Sequence, residues 1–431
     1  METIKIGLLG FGTIGTGVVK TLLQQRSLLR SRVGVEFVLK KIADLDLSTP
    51  RDVDIDQSLL TTNADDVLND PEIQIVIELI GGYEPAKSFI LQAIRNGKQI
   101  VTANKALLAV HGAEIFETAS RYQVDVGFEG SVGGGIPIIR SLREGFVANN
   151  FTEIYGILNG TTNYILTEMT EKGENFADVL TRAQALGLAE ANPTFDIEGL
   201  DATHKIIILT YLAFGKQVRM DQILTEGISK LDATDIKFAR ELGYTIKLLA
   251  IAKQNHQAIE VRVHPTMLHV EHLLAKVDGS FNAIYVVGDI VDSTMFYGRG
   301  AGMMPTASAV VGDVVDIARN LLKGISNKIP LLYPGEESAR LTIQAADQFL
   351  SRYYLRFTVL DRPGVLSKIS GILGDYDISI ASVIQKEVHP VDGVPVVILT
   401  YAASERNMRQ ALAKIDQLEV VTDRTVLIRV L

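Results

Sequence analysis

The 431-residue sequence contains no cysteine, which excludes disulfides, thiolate metal sites and a cysteine nucleophile. Lysine and arginine never gather into a run, and the formal net charge is −9. A phosphate-backbone partner needs a basic footprint, so a nucleic acid is not expected. No apolar stretch reaches the ~20 residues of a membrane span. The opening METIKIGLLG passes straight into a strand-like pattern. It has no charged region, long apolar region and small-residue cleavage site, so no secretory leader is visible and a cytoplasmic location is expected. What is present is a composition 47% hydrophobic and 22% charged, that of a globular chain able to bury large cores. Its length exceeds what one compact core accommodates, so two or three domains are expected.

Ile4 to Leu9 is a short apolar run that ends in Gly10-Phe11-Gly12-Thr13-Ile14-Gly15 and is followed by the helix-like TGVVKTLLQQRSLL. A strand, a GxGxxG turn and a helix in this order point to a dinucleotide. The first glycine makes the tight turn, the second lets backbone approach the pyrophosphate, and the third lets helix and strand pack closely. Helix-terminal amides then face the phosphates. A second strand, 35–43, leads to Asp44, which suits a free ribose 2′-hydroxyl, while Lys40 and Lys41 are close enough in sequence to neutralise a 2′-phosphate. The choice between NAD and NADP stays open. Further strand and helix alternation through residue 128 implies a parallel, doubly wound sheet.

Ligands of such sheets bind at the carboxyl ends of the strands. Gly81-Gly82, Thr102-Ala103-Asn104-Lys105 and the stretch Glu129-Gly130-Ser131-Val132-Gly133-Gly134-Gly135-Ile136-Pro137 fall there. Lys105 opens its helix, where the dipole disfavours a cation, so it calls for an anionic partner or for solvent. The glycine run beside Glu129 either binds a hard cation through backbone oxygen or forms a bend between domains.

The most unusual stretch is EANPTFDIEGLDATHK, residues 190–205. It gathers Glu190, Asp196, Glu198 and Asp201, with Asp221 beyond the next helix, around one lysine that opens the apolar run IIILTYLAF. Asp201 and Lys205 stand one helical turn apart. They are either an exposed ion pair or an ammonium kept charged as a proton donor. The seven histidines show no ligand spacing and read as structural or exposed.

The strands after residue 150 suggest an α+β region with an open mixed sheet, which carries the substrate site and, on its free face, a subunit contact. GRGAGMMPT and a helix over 307–322 return the chain to the first domain. After a polar linker, residues 351–431 read as βαββαβ, a ferredoxin-like module with its own core and no catalytic constellation. The expected division is a Rossmann domain over 1–133, completed by a helix near 306–330. Beyond it come a substrate and dimerisation domain over 134–305, a linker over 331–350 and a regulatory module over 351–431. A dinucleotide-binding domain joined to such a module also suits a non-catalytic sensor, although a sensor has no need of a proton donor.

Taken together, GLLGFGTIGTGV, IGG at 80–82, TANKALLA, FEGSVGGGIPIIR, GILNGTTNYILT, ALGLAEANPTFDIEGLDATHK and FYGRGAGMMPTA resemble the homoserine dehydrogenase family across nearly the whole chain. LDRPGVLSKISGIL in the tail is similar to the ACT domain, an amino-acid-binding module. The resemblance implies reduction of L-aspartate 4-semialdehyde to L-homoserine by NADPH or NADH, a step toward threonine, isoleucine and methionine. By position, Lys205 matches the proton-donating lysine and Lys105 a second lysine near substrate and nicotinamide. Glu190 matches the carboxylate that holds the substrate ammonium. Asp196, Asp201, Gly160 and Thr161 match further substrate contacts. Gly10, Phe11, Gly12, Thr13, Ile14, Gly15, Thr102, Gly187 and Gly302 match the cofactor site. Glu129, Val132, Gly134 and Ile136 match a sodium site of main-chain oxygens and one side chain. A homodimer or homotetramer is implied, with an effector such as threonine at the ACT domain. Relatives that prefer NADP often carry arginine or lysine where this chain has Asp44.

Overall fold

The computed structural model describes residues 2–326, 340–385 and 393–431. The chain forms two compact units. The described residues of the first are 2–160, 204–220, 281–326 and 340–341; the second comprises those of Thr161–Thr203, Asp221–Ser280 and Thr342–Leu431.

The first unit is built on six parallel strands, β1 (Thr3–Leu9), β2 (Glu36–Ala43), β3 (Leu60–Thr61), β4 (Ile75–Glu78), β5 (Gln99–Thr102) and β6 (Val126–Gly127). Their order is β3-β2-β1-β4-β5-β6, so the chain reverses direction between β1 and β4 and opens a crevice there, as in dinucleotide-binding sheets. The central strands β1 and β4, with β5, are near-continuous buried runs, whereas β2 and β3 toward the edge are half-buried. The expected single helix after the glycine loop is two, Thr13–Gln24 and Arg26–Val33, broken at Gln25. The helix Met303–Leu322 starts earlier than its sequence pattern suggested. Its Val310, Val311, Val314 and Ile317 share a core with Val18, Val19 and the β1 strand. The antiparallel strands Phe151–Ile157, Phe281–Gly288 and Asp292–Arg299 complete this unit.

In the second unit, Tyr244–Asn255 and Ala258–His269 form a long antiparallel pair. The tail folds as expected into a βαββαβ module, with strands Leu350–Val359, Ile380–Gln385, Val394–Thr400 and Val421–Val430. Val421–Val430 and Val394–Thr400 flank Leu350–Val359. The helices Val365–Asp375 and Glu405–Ile415 give the module its own core. One pairing was not legible in sequence: Val421–Val430 also runs parallel to Ala258–His269, matching Thr266 with Arg429 and Met267 with Val430. The module's sheet is therefore continuous with that long pair. Residues 331–339 of the expected linker, and the end of the strand read over 378–387, lie outside the described residues. Among the described residues no helix is long and apolar enough to cross a membrane.

Candidate functional site

The glycine loop sits at the mouth of the crevice. Gly10 donates its N–H to the Ala43 carbonyl at 2.9 Å, and Gly15 comes so close to Gly10 that an added Cβ would stand 2.2 Å from its carbonyl oxygen. Gly12 differs: a Cβ there meets nothing within 4 Å. No packing inside the protein calls for a glycine at this position, but a phosphate lying against the backbone does. The helix Thr13–Gln24 begins at Gly12 with no side-chain cap and no acidic residue in its first turn. Its amides and positive dipole end thus fit a dinucleotide pyrophosphate.

Asp44 points into this loop, and its carboxylate accepts the N–H groups of Phe11 and of Asp46. Lys40 and Lys41 do not. The register of β2 slips at Lys40, which turns its side chain to Asp70 and Glu72, while Lys41 donates to the Ser58 carbonyl at 3.0 Å. The cation at the loop is Arg51, which the sequence pattern did not single out. Its Nε donates to the Phe11 carbonyl at 2.9 Å, and its guanidinium stands 5.1 Å from the Phe11 ring centre.

A second residue missed in sequence is Glu78, the last of β4. It is fully buried, and burial pushes its pKa up against the hydrogen bonds it accepts. Its carboxylate takes the Thr102 hydroxyl at 2.7 Å and the N–H groups of Ile80 and Gly81 at 2.8 and 3.3 Å. Asn104 donates from Nδ2 to the Gly82 carbonyl at 2.8 Å and caps the Leu107 N–H at 3.1 Å. One buried carboxylate thus ties the ends of β4 and β5 together and fixes half-buried Lys105 as the first residue of its helix. The signal for Glu78 was a lone acid closing an otherwise aliphatic strand.

Glu129 is buried, and its two carboxylate oxygens accept the N–H groups of Ile139 and Arg140 at 2.8 and 2.9 Å. Its own N–H donates to Asp313 at 2.8 Å. Val132 and Ile136 are buried, Gly134 takes a φ of 53°, and the Ile136 carbonyl accepts the Ile138 N–H. Among the described residues no cluster of acidic, histidine or cysteine side chains suits a metal. Both Glu129 carboxylate oxygens and the Ile136 carbonyl thus already accept backbone N–H groups.

Lys205 is 5% exposed. Its Nζ donates to the Leu158 carbonyl at 2.6 Å, and Ile206 to Leu209 after it are all buried. Asp201, in the first turn of the same helix, is 1% exposed. Burial of both residues removes the exposed ion pair as an account of them. In the second unit, the Thr161 hydroxyl donates to the Leu188 carbonyl at 2.6 Å. This ties the start of the helix Gly160–Lys172, which Gly160 opens as its first residue, to the segment that carries Gly187 and Glu190. Glu190 presents its side chain to solvent, Asp196 is half-buried on the short helix Thr194–Ile197, and Asp221 is exposed. Gly302 opens the helix Met303–Leu322. His264 is buried, with Nδ1 beside the Thr266 hydroxyl, a structural role.

Comparison with known proteins gives the family. The family profile described as "Homoserine dehydrogenase, NAD binding domain" matches residues 10–129, "Homoserine dehydrogenase" matches 137–315 and "ACT domain" matches 353–420. A homoserine dehydrogenase of Pseudomonas aeruginosa is 45% identical and covers 100% of this chain and 99% of its own length. One of Neisseria gonorrhoeae is 46% identical, with 100% and 99% covered. The crystal structure of a homoserine dehydrogenase from Thiobacillus denitrificans superposes with a TM-score of 0.92 at 46% identity, covering 100% of this chain and 99% of that one.

Proposed function

Because the chain belongs to the homoserine dehydrogenase family of NAD(P)-dependent oxidoreductases, we propose that Lys205 is its proton donor and Glu190 its substrate anchor. Within this reading, residues 1–133 with a helix near 306–330 hold the cofactor, 134–305 the substrate, 331–350 join and 351–431 regulate.

NAD(P)H, when bound, supplies the hydride that reduces the aldehyde carbon of aspartate 4-semialdehyde. The chain's own residues do the rest. As the carbonyl oxygen gains charge, the Lys205 ammonium gives it a proton and stabilises it, which general acid catalysis makes worth about 10²–10⁴ in rate. In the direction of homoserine oxidation the amine takes that proton back. The Leu158 carbonyl orients the ammonium. Glu190 pairs with the substrate ammonium, Asp196 and Asp201 add polar contacts, and Lys105 with the Gly160-Thr161 turn binds the substrate carboxylate. Gly10 to Gly15, Thr102, Gly187 and Gly302 line the cofactor; Thr102, whose hydroxyl is held by Glu78, serves through its backbone. Asp44 supports a free 2′-hydroxyl and Arg51 supports a 2′-phosphate, so both NAD and NADP are accommodated. Glu129, Val132, Gly134 and Ile136 are the sodium candidates, and no step is routed through that ion.

Tyr297, 53% exposed on the edge strand Asp292–Arg299, supports a subunit contact in a homodimer or homotetramer. The ACT module suits an amino-acid effector, with threonine as the candidate, in a cytoplasmic step toward threonine, methionine and isoleucine. The observation that carries the reading is a lysine buried on an apolar helix, its amine held by the Leu158 carbonyl. The test is to mix the protein with homoserine and NAD or NADP and follow the near-ultraviolet absorbance of the reduced cofactor. No absorbance with either cofactor refutes the reading.

A further inference from the structure

The second unit contains a buried ion cluster that the proposed chemistry does not use. Arg429, on the last strand of the ACT module, is fully buried. Its guanidinium donates to Glu226 at 2.8 and 3.3 Å and to Glu405 at 2.6 and 3.0 Å. The Tyr353 hydroxyl donates to Glu405 at 2.9 Å, and Arg409 bridges Glu405 and Glu226 from the rim. Glu405 and Arg409 lie on one ACT helix, and Glu226 lies outside the module, just after the strand Leu224–Thr225. Glu226 is thus the acid through which the module's two arginines grip the rest of the unit.

Gly227 and Ile228, the next two residues, give the grip a purpose. The Ile228 N–H donates to the Ile197 carbonyl at 2.8 Å. Gly227 is pressed so tightly on the same segment that a Cβ would stand 2.3 Å from that carbonyl and 2.5 Å from the Glu198 Cα. Gly199 in turn packs at the Glu226 carbonyl, where a Cβ would lie 3.5 Å away, and the Thr203 and Thr225 hydroxyls meet at 3.0 Å. The segment so pinned, 197–199, lies between Asp196 and Asp201. The contacts of Gly227 and Ile228 therefore link Glu226 directly to the segment between the two carboxylates.

We propose that Glu226 is a positioning residue: held by Arg429 and Arg409 of the ACT module, it fixes through Gly227 and Ile228 the segment that joins the helices of Asp196 and Asp201, and so sets the affinity for substrate. This rests on the assignment of those carboxylates to the substrate. The module then acts on the amino-acid substrate rather than on the dinucleotide, because the chain of contacts from Arg429 ends at Ile197 and Glu198, between Asp196 and Asp201. An effector that shifts the strand of Arg429 would change substrate affinity by the same route.

The test compares Glu226→Gln with Asp235→Asn in the full chain. Asp235 also joins the module to the rest of the unit, accepting from Arg356 at 2.6 and 2.8 Å and from the Tyr354 hydroxyl at 2.9 Å, so its loss reports a merely structural tie. In Glu226→Gln, Arg429 keeps Glu405, and the fold is retained. The expected result is a KM for homoserine raised about tenfold, equivalent to ~1.4 kcal/mol, with kcat and the cofactor KM unchanged and faster amide exchange over 194–203. Asp235→Asn is expected to lower thermal stability without either effect. If Glu226→Gln fails to accumulate, Arg409→Ala, at the exposed rim of the cluster, decides on the same criteria. An unchanged homoserine KM and unchanged exchange, or equal changes in both variants, overturn the proposal. The exchange measurement decides it even for a wild-type chain inert toward homoserine, an outcome that would refute the proposed function instead.

Discussion

Replacing Asp313 by asparagine should remove a pH-dependent weakness from the first unit. Asp313 is buried on the helix Met303–Leu322 and accepts the Glu129 N–H at 2.8 Å. Burial, and then the negative charge of Glu129, push its carboxyl from 3.8 up to about 7. Arg140 and Arg143 oppose this, Arg140 from 3.9 Å, and Asp125, Glu144 and Asp316 line the same polar cavity. A carboxyl raised on folding holds its proton more tightly in the native state. Its contribution is complete below the unfolded value of 3.8, is lost as pH rises through about 7, and is gone above. At 1.36 kcal/mol per unit, the whole shift amounts to roughly 4 kcal/mol, and the part between pH 5 and 7 to about 2. Asparagine keeps an oxygen for the Glu129 N–H and carries no charge, so it serves as the reference. Urea unfolding of both proteins at pH 5, 6, 7 and 8 should give a wild type that falls behind the variant by a few kcal/mol between pH 5 and 7 and then runs parallel. A difference independent of pH, or one that grows in favour of the wild type as pH rises, refutes the argument.

Other outcomes concern the site itself. Lys205→Ala should lower kcat by about 10²–10⁴ while cofactor affinity, read by fluorescence quenching, stays intact; near-normal turnover would remove Lys205 from its role. Glu190→Ala should act mainly on the homoserine KM, and an unchanged KM counts against it. Arg51→Ala should raise the KM for NADP more than that for NAD, since a cation serves only the phosphorylated ribose; equal changes would show that Arg51 merely packs on Phe11.

The sequence revealed those parts of the molecule in which local pattern and chemistry coincide. The glycine loop and β1 are legible because turn, phosphate approach and helix packing each dictate a residue type, and the ACT module because its alternation and its Ser404 cap are local. Gln25 was not legible as a break, since the residues on both sides of it have helical propensity. Lys40 misled for a related reason: sequence proximity to Asp44 suggested a ribose contact, but a slip in strand register, which no local pattern encodes, sends it to Asp70 and Glu72.

Glu78, Asp313 and Glu226 escaped notice for a deeper reason. Each is a single acid in an ordinary-looking segment, and each matters because of a partner far along the chain. Glu78 answers to Thr102, Asp313 to Glu129 and Glu226 to Arg429. A clustered stretch such as 190–205 announces its charge, whereas a lone buried carboxylate shows itself only once the fold supplies the donors without which its burial would be too costly. The two kinds serve different ends. The clustered acids are the candidates to meet a substrate, and the solitary ones hold in place the segments around Lys105, Glu129 and the pair Asp196 and Asp201. Substituting a clustered acid should therefore alter one contact, while substituting a solitary one should alter the geometry of several residues at once.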